Sequence, residues 1–435
     1  MAYAYLTFAQ AVSILASRLQ DPSQIYWNQP NELLNCVVEA VRLFQVLTGS
    51  YKQAMTFQTA ANTVYYSLTA QSGSPIAVTV TDVEVINNVL AALLETPLVA
   101  SWTGTGQFTL TQLQNALQSR LNRFLGESGR QVTQQTITGV NTELVNLPDG
   151  TIDVRRAAWI PVPQTTPPAN PAWALGRIDE WAQQAYLPAA AATQPTDYSV
   201  YATGPLQLRL IPPPVSGGNL DCIFVTSGPT VNLDPNNPVV LGLADDLTPA
   251  LKWGVLAEIL GSDGPSRDYA RAAYCEQRYQ EIVQAARIYP SVLTGAINNI
   301  TCGVGSVFDM DSYMPDWQQT TGQPSFIGMC GRHLACIGLT PDNIYGVTVT
   351  VCASAPVTGF LQVSRDQIDP ILDYAQHIAS FKMGGAEFDG TTRLYQNLVE
   401  CAKSQNGRLD AISFYRDTME SMGKKSELEV ERMIV

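Results

Sequence analysis

Ionic side chains are scarce in this chain of 435 residues: Asp, Glu, Lys and Arg together make up 14%, where an average soluble protein carries about a quarter. The charge that is present leans one way, with 38 acidic against 25 basic residues and a net charge of −13. Tight phosphate binding rests on clustered Lys and Arg and is therefore not expected. An acidic wall would instead offer a passing polyanion no sticking points, a property that suits a conduit. Histidine is rarer still, with two, His333 and His377. The eight cysteines, at 36, 222, 275, 302, 330, 336, 352 and 401, include no Cys-x-x-Cys pair, so zinc spacing is missing and reduced, mostly buried thiols are expected. No run of 18 apolar residues occurs, and Met1-Ala2-Tyr3-Ala4-Tyr5 lacks the basic and apolar regions of a signal peptide. The expectation is a soluble protein made in the cytoplasm, with no membrane partner.

Reactive constellations are missing as well. No Gly-x-Ser-x-Gly elbow exists, and Gly126-Glu127-Ser128-Gly129 reads as a helix stop. Gly303-Val304-Gly305-Ser306 lacks the Lys that a phosphate loop needs and reads as a linker between modules. Asp309-Met310-Asp311-Ser312 starts like a calcium loop, yet the twelve-residue ligand pattern does not continue. No catalytic residue, metal or cofactor is assigned, and the chain is not expected to be an enzyme.

Neutral polar residues and alanine fill the gap, and they come with repetition. Thr7-Phe8-Ala9-Gln10 to Arg18-Leu19 reappears as Thr109-Leu110-Thr111-Gln112 to Arg120-Leu121, at a constant shift of 102. A second echo links the Trp181 region to the Trp317 region and reaches a constant shift of 121 through later helices, matching Pro249 with Pro370, Trp253 with Tyr374 and Tyr274 with Tyr395. Duplicated scaffold without reactive groups points to a protein that shapes and joins assemblies.

Apolar periodicity predicts a helix over Phe8, Ala11, Val12, Leu15 and Leu19, stopped by Asp21-Pro22, and a second from Pro30 to Gly49 forming a hairpin with it. Residues 51 to 81 read as extended segments, Val83 to Leu94 as a short helix, and Leu110 to Phe124 as a third amphipathic helix. Strands are expected at 132 to 147 and 151 to 160 about Pro148-Asp149-Gly150, then around Leu206 to Leu210 and Cys222 to Val225. Helices at 246 to 261 and 266 to 287 follow; a second β unit from Trp317 to Val351 precedes helices at 366 to 382 and 389 to 404. The fold class is therefore α+β: helix hairpins and amphipathic helices with two small antiparallel β units, each closed by a helix pair. The expected domains are 1–100, an N-terminal helix hairpin with extended segments; 107–290, a first module; 305–410, a second; and 411–435, a charged tail or arm holding nine charged residues in its 25.

Met314-Pro315-Asp316-Trp317 to Thr320-Thr321-Gly322-Gln323-Pro324 resembles a pattern of tailed-phage (podovirus-type) head-to-tail adaptor, or neck, proteins, in which a Trp and a Gly-x-Pro turn lead into strands and a helix pair. The stretch Asp245-Asp246-Leu247-Thr248-Pro249 to Glu258, with Arg271 to Tyr279, is similar to the closing helix pair. Leu15 to Pro22, Trp27 and Glu32 to Arg42 look like the opening hairpin. The chain shows two openings and two closings, and Trp181 has no Thr-Gly-x-Pro immediately after it, so an internally duplicated adaptor is implied. The resemblance implies a virion protein of the neck, made in the bacterial cytoplasm. It implies a homo-oligomeric, twelve-fold ring with portal protein and tail or nozzle proteins as partners, and genomic DNA passing through the lumen without specific binding. Interface candidates are Trp181, Trp317, Pro324, Trp27, Tyr415 and Met419; the tryptophans either anchor subunit contacts or fix corners of the core. Two alternatives stand beside it: another tail structural protein, such as a tail tube or terminator subunit, and a cell-wall or polysaccharide hydrolase using Asp309 and Asp311.

Overall fold

A computed structural model describes residues 5–99, 102, 107–161, 171–179, 192–201, 206–264, 267–289 and 291–414. The chain opens with two helices, α1 (Phe8–Arg18) and α2 (Glu32–Thr48). Thr7 caps α1 by accepting from the backbone N–H of Gln10 at 3.1 Å, while the Gln10 side chain accepts from the N–H of Thr7 at 2.9 Å. These reciprocal bonds satisfy two orphan donors of the first turn. Gly49, at φ 64, ends α2 in the left-handed conformation that a Cβ disfavours. Strands β1 (Lys52–Gln58) and β2 (Tyr65–Ser67) and helices α3 (Asp82–Ala92) and α4 (Leu110–Ser128) follow.

A β unit comes next: β3 (Thr133–Val140), β4 (Leu144–Asn146), β5 (Thr151–Pro161), β6 (Trp173–Ala174), β7 (Gly176–Arg177), β8 (Asp197–Tyr201), β9 (Gln207–Ile211) and β10 (Gly218–Thr226). They make two four-stranded sheets, ordered β3-β10-β5-β6 and β4-β9-β8-β7. Alternation along β9 turns Leu208 and Leu210 inward, where Val154, Trp159, Leu220 and Phe224 complete a core separate from the main one. The expected turn at Pro148 to Gly150 joins β4 to β5, but these strands lie in different sheets.

Helices α5 (Pro249–Gly261) and α6 (Tyr269–Ile288) lead into the second sheet region: β11 (Val292–Ile297), β12 (Ile300–Ser306), α7 (Val307–Tyr313), β13 (Thr321–Gly322), β14 (Phe326–Cys330), β15 (Leu334–Gly338), β16 (Thr340–Pro341) and β17 (Gly346–Cys352). Helices α8 (Arg365–Ser380), α9 (Gly385–Gly390) and α10 (Thr392–Gln405) follow, and a short 3-10 turn, Gly407–Ala411, comes after them. The fold class is α+β, as expected.

The second sheet departs from a small antiparallel unit. It has seven strands in the order β1-β17-β11-β12-β14-β15-β2, so the N-terminal strands complete it at both edges. β12 pairs with β14 in parallel, as do β13 with β16 and β7 with β8. Gly303 to Ser306, read above as a linker, lies in β12: a Cβ at Gly303 would stand 2.4 Å from the Phe326 ring, so glycine lets the neighbouring strand's aromatic lie flat on it. Asn298 and Asn299, at φ 50 and 64, make the tight turn between β11 and β12.

Two helices are buried on nearly every side, α2 and α5, and Glu39 of α2 accepts from both Lys252 Nζ and Trp253 Nε1 of α5 at 2.7 Å. Around them α1 packs on α2 and α8, and α4 on α5 and α6. Arg18 of α1 pairs with Asp369 and Asp373 of α8, each at 2.7 Å, while Arg120 of α4 reaches Glu258 of α5 at 2.9 Å and Glu276 of α6. Arg278 and Glu281 of α6, both buried, meet the hydroxyls of Tyr374 on α8 at 2.8 Å and Tyr395 on α10 at 2.7 Å. The helices therefore surround α2 and α5 and share a continuous core with the seven-stranded sheet.

Candidate functional site

A cleft of about 1000 Å³ opens where the C-terminal ends of α4 and α6, strand β5, the β12–α7 junction and the chain after α10 converge. Its construction begins with backbone ends. Gly129 caps α4 at φ 58, and a Cβ there would fall 1.4 Å from Nη2 of Arg155, so glycine at this point lets the β5 guanidinium lie against the helix end. Arg130 turns the other way and caps α6: its guanidinium donates to the carbonyls of Ala286, Arg287 and Tyr289, the last two at 2.6 Å. Cations at a helix C-terminus are favoured by its partial negative charge. Ser306 and Asp309 make a capping box at the start of α7, and the Asp309 carboxylate accepts from the Ser306 backbone N–H and hydroxyl, both at 2.8 Å, which holds it below the usual carboxylate range.

The charged lining comprises Arg130, Arg155, Arg287 and Arg408 against Glu127, Asp153 and Asp309. This is a local reversal in a chain of net charge −13. Glu127 is taken by Arg123 at 2.8 Å. Asp153 reaches Arg177 at 3.0 Å but Arg155 only at 3.9 Å, and Nε of Arg155 is buried without a hydrogen-bond partner. Arg287 donates through Nε to the Glu127 carbonyl at 2.7 Å and is otherwise exposed, as is Arg408. Phe308, 53% exposed, adds an apolar edge. The one thiol on the wall, Cys330, is pushed up to about 11 by burial and is therefore not a thiolate nucleophile at neutral pH. Among the described residues no group of three His, Cys, Asp or Glu is placed to hold a metal. The arrangement suits the recognition of carboxylates on another macromolecule, since guanidinium groups on a partly apolar rim are typical contact residues.

The sequence candidates lie elsewhere. Trp181, Tyr415 and Met419 fall outside the described residues. Trp27 is 3% exposed and donates through Nε1 to the Ala379 carbonyl at 3.0 Å, tying the loop before α2 to α8. Trp317, 1% exposed, donates to Asp311 at 2.8 Å. Asp311 in turn accepts two bonds from Arg156 of β5, at 2.7 and 2.8 Å, and the Arg156 guanidinium stands 5.3 Å from the Trp317 ring centre. Gln318, Tyr65 and Asp221 complete this buried knot, which fastens the β3–β10 unit to the seven-stranded sheet. Pro324 is buried just before β14. These three candidates serve the interior of the chain, and the knot employs the carboxylate that a hydrolase reading needed. The cleft arginines were not singled out from sequence, although Arg155-Arg156, two cations side by side in a strand of a charge-poor chain, was a signal.

Residues 83–296 match the family model for the SU10 adaptor protein, a little under half of the chain. That stretch runs from α3 through α4, both four-stranded sheets, α5 and α6 into β11, and it is similar to a phage adaptor-type protein of a structural virion family. No curated protein matches the chain. No helix among the described residues is long and apolar enough to cross a membrane.

Proposed function

We propose that this protein is a ring-forming head-to-tail adaptor of the phage neck, joining the portal to tail or nozzle proteins around the passage for genomic DNA, in a homo-oligomeric ring of twelve. The observation that carries the reading is the family match across the α3–α6 stretch. The reversed charge of the cleft supports it: a subunit of net charge −13 needs a basic socket if the same surface is to meet an acidic neighbour around a closed ring. The helices packed around α2 and α5 favour an adaptor over a tail tube or terminator subunit, which would be built on a β-dominated ring domain.

The duplication belongs to the same proposal, in nested form. One copy is 107–290; the other is split, with its opening at residues 5–99 and its strands and closing helices at 291–410. Three parallels support it. Thr7 and Thr109 make matching capping boxes, with Gln10 and Gln112. Arg18 and Arg120, related by the shift of 102, each tie an opening helix to a closing one. Trp253 packs on Tyr274 with ring centres 5.7 Å apart, and Tyr374 on Tyr395 at 5.6 Å, at positions related by the shift of 121. Trp181 and the charged tail at 411–435, with Tyr415 and Met419, are the proposed contacts with neighbouring subunits and the portal.

Native mass spectrometry and cryo-electron microscopy of the purified protein mixed with its portal test the assignment. A closed ring seated on the portal is expected; a monodisperse monomer indifferent to portal would sink it.

A further inference from the structure

The seven-stranded sheet is incomplete at the wall of the basic cleft. Asn298 and Asn299 make a two-residue turn, so Ile297 and Ile300 form the first pair of the β11–β12 ladder, and pairing stops after Gly295 and Cys302. Bonded and non-bonded pairs alternate in an antiparallel ladder, which makes Leu293 with Val304 the next bonded pair. That pair does not form. β11 shifts its register against β17 at Leu293, while β12 runs parallel with β14 from Gly303 onward. Leu293 and Val304 both line the cleft, so the strands part where the cleft opens. Gly303 gives its N–H to the Ser325 carbonyl on the β14 side at 3.1 Å. Successive residues of a strand aim their amide groups to opposite sides, so those of Val304 face the gap. An open strand edge is a template for pairing with another chain.

The walls supply the side chains that an added strand would meet. Arg287 and Arg408 are exposed and form no ion pair among the described residues. Arg155 buries its Nε but keeps 32% of its side chain exposed. The acids of the cleft are taken: Glu127 by Arg123, Asp153 by Arg177 and Asp309 by Ser306. Guanidinium donors therefore reach the space, with Phe308 as apolar surface beside them. At about 1000 Å³ the cleft is as large as the largest small-molecule pockets, which leaves room for a short peptide.

The chain carries a segment of matching pattern, outside the described residues. Glu427-Leu428-Glu429-Val430-Glu431 is the one place in the sequence where three acids alternate with apolar residues. As a strand it sets its carboxylates on one face, about 7 Å apart, and Leu428 and Val430 on the other. The described chain passes Arg408 on the cleft wall and runs on to Phe414, and residues 415–426 span at most roughly 40 Å, enough to cross to an adjacent copy. Each copy then gives one segment and receives one, the heterologous contact that a closed ring requires.

We propose that the cleft is a strand-addition groove whose occupant is segment 427–431 of a neighbouring copy, its backbone pairing with Val304 at the open edge of β12 and its carboxylates meeting Arg155, Arg287 and Arg408. The inference rests on the reading of this protein as a homo-oligomeric ring and names a contact that closes it.

The test uses the full chain. A photoreactive benzoylphenylalanine at position 430 is expected to cross-link to residues 287–293 or 304–308, and in a mixture of isotope-labelled and unlabelled protein the cross-links should join one kind of chain to the other. Glu427→Lys, Glu429→Lys and Glu431→Lys together should weaken association roughly tenfold, as should Arg287→Glu with Arg408→Glu. An equimolar mixture of the two variants should recover wild-type association, because each restores the charge pairing that the other has lost. A mixture no stronger than either variant, cross-links that stay within one chain, or cross-links away from the cleft each overturn the proposal. A ring that still seats on the portal under any of those results keeps the adaptor reading, whereas cross-links between copies in the cleft without a ring on the portal remove that reading alone.

Discussion

The buried polar side chains set how this protein answers to pH and to substitution. His377 is fully enclosed, with Nε2 2.6 Å from the Tyr274 hydroxyl and Nδ1 2.8 Å from Thr391 Oγ1, and burial pulls its pKa down to about 3. The unfolded chain takes up a proton there at about 6.5. The neutral ring therefore favours the fold above about 6.5, and stability falls as pH drops from there towards 3. Between pH 7 and 5 the loss from this group should be about 2 kcal/mol, visible as a falling urea midpoint that flattens in His377→Gln. The Arg156 knot makes a different demand. Arg156→Met leaves Asp311, whose side chain is 17% exposed, and the buried Asp221 without their cation, so a cost of about 3 kcal/mol in denaturant unfolding is expected. Asp311→Asn should destabilise as well, because it removes the charge facing the buried Arg156 and sets an amide NH2 against one of the N–H donors of Arg156 or Trp317. Neither the knot nor the His377 site was legible residue by residue, since each assembles groups from distant parts of the chain.

At the scale of elements, the helices were the legible part. Thr-x-x-Gln capping boxes, Pro near helix starts and Gly beyond their ends are local signals, and α1, α2, α4, α5 and α6 begin and end within a few residues of the sequence reading. Thr7→Ala and Thr109→Ala should each cost about 1 kcal/mol. Hydrogen exchange should rise in residues 8–11 for the first and 110–113 for the second, and a spread across both helices in either variant would contradict the local account. The β elements were read less well for identifiable reasons. Glycines in β12 look like a linker because the Phe326 ring that covers them comes from another strand. The Asn298-Asn299 turn was missed because two asparagines do there what Asn-Gly usually does. The Pro148 to Gly150 turn was located, but no local signal says that its two strands belong to different sheets.

For the whole molecule, the candidate cleft emerges only when α4, β5, α6 and the end of α10 meet, so no motif announced it. Its charge gives a direct prediction. If the cleft is the proposed interface, Arg287→Glu combined with Arg408→Glu should weaken association by roughly tenfold or more, with the circular dichroism spectrum unchanged and only a small drop in Tm, reflecting a loss on the order of 1 kcal/mol from the missing Arg287 bond to the Glu127 carbonyl. Sedimentation velocity should show wild-type association weakening with added salt and the variant losing that dependence; an unaltered salt response would remove the cleft from the interface. The seven-stranded sheet has a further consequence, for synthesis. Lys52 of β1 is partnered by Cys352 and Gln58 by Gly346, so β1 leaves the ribosome long before its complement exists. The stretch at 107–289 is finished earlier and carries its own enclosed β core, so it is able to consolidate first while the flanking strand waits with open hydrogen-bonding edges. A nascent chain stalled before β17 is thus the moment at which β1 stands most open to mispairing.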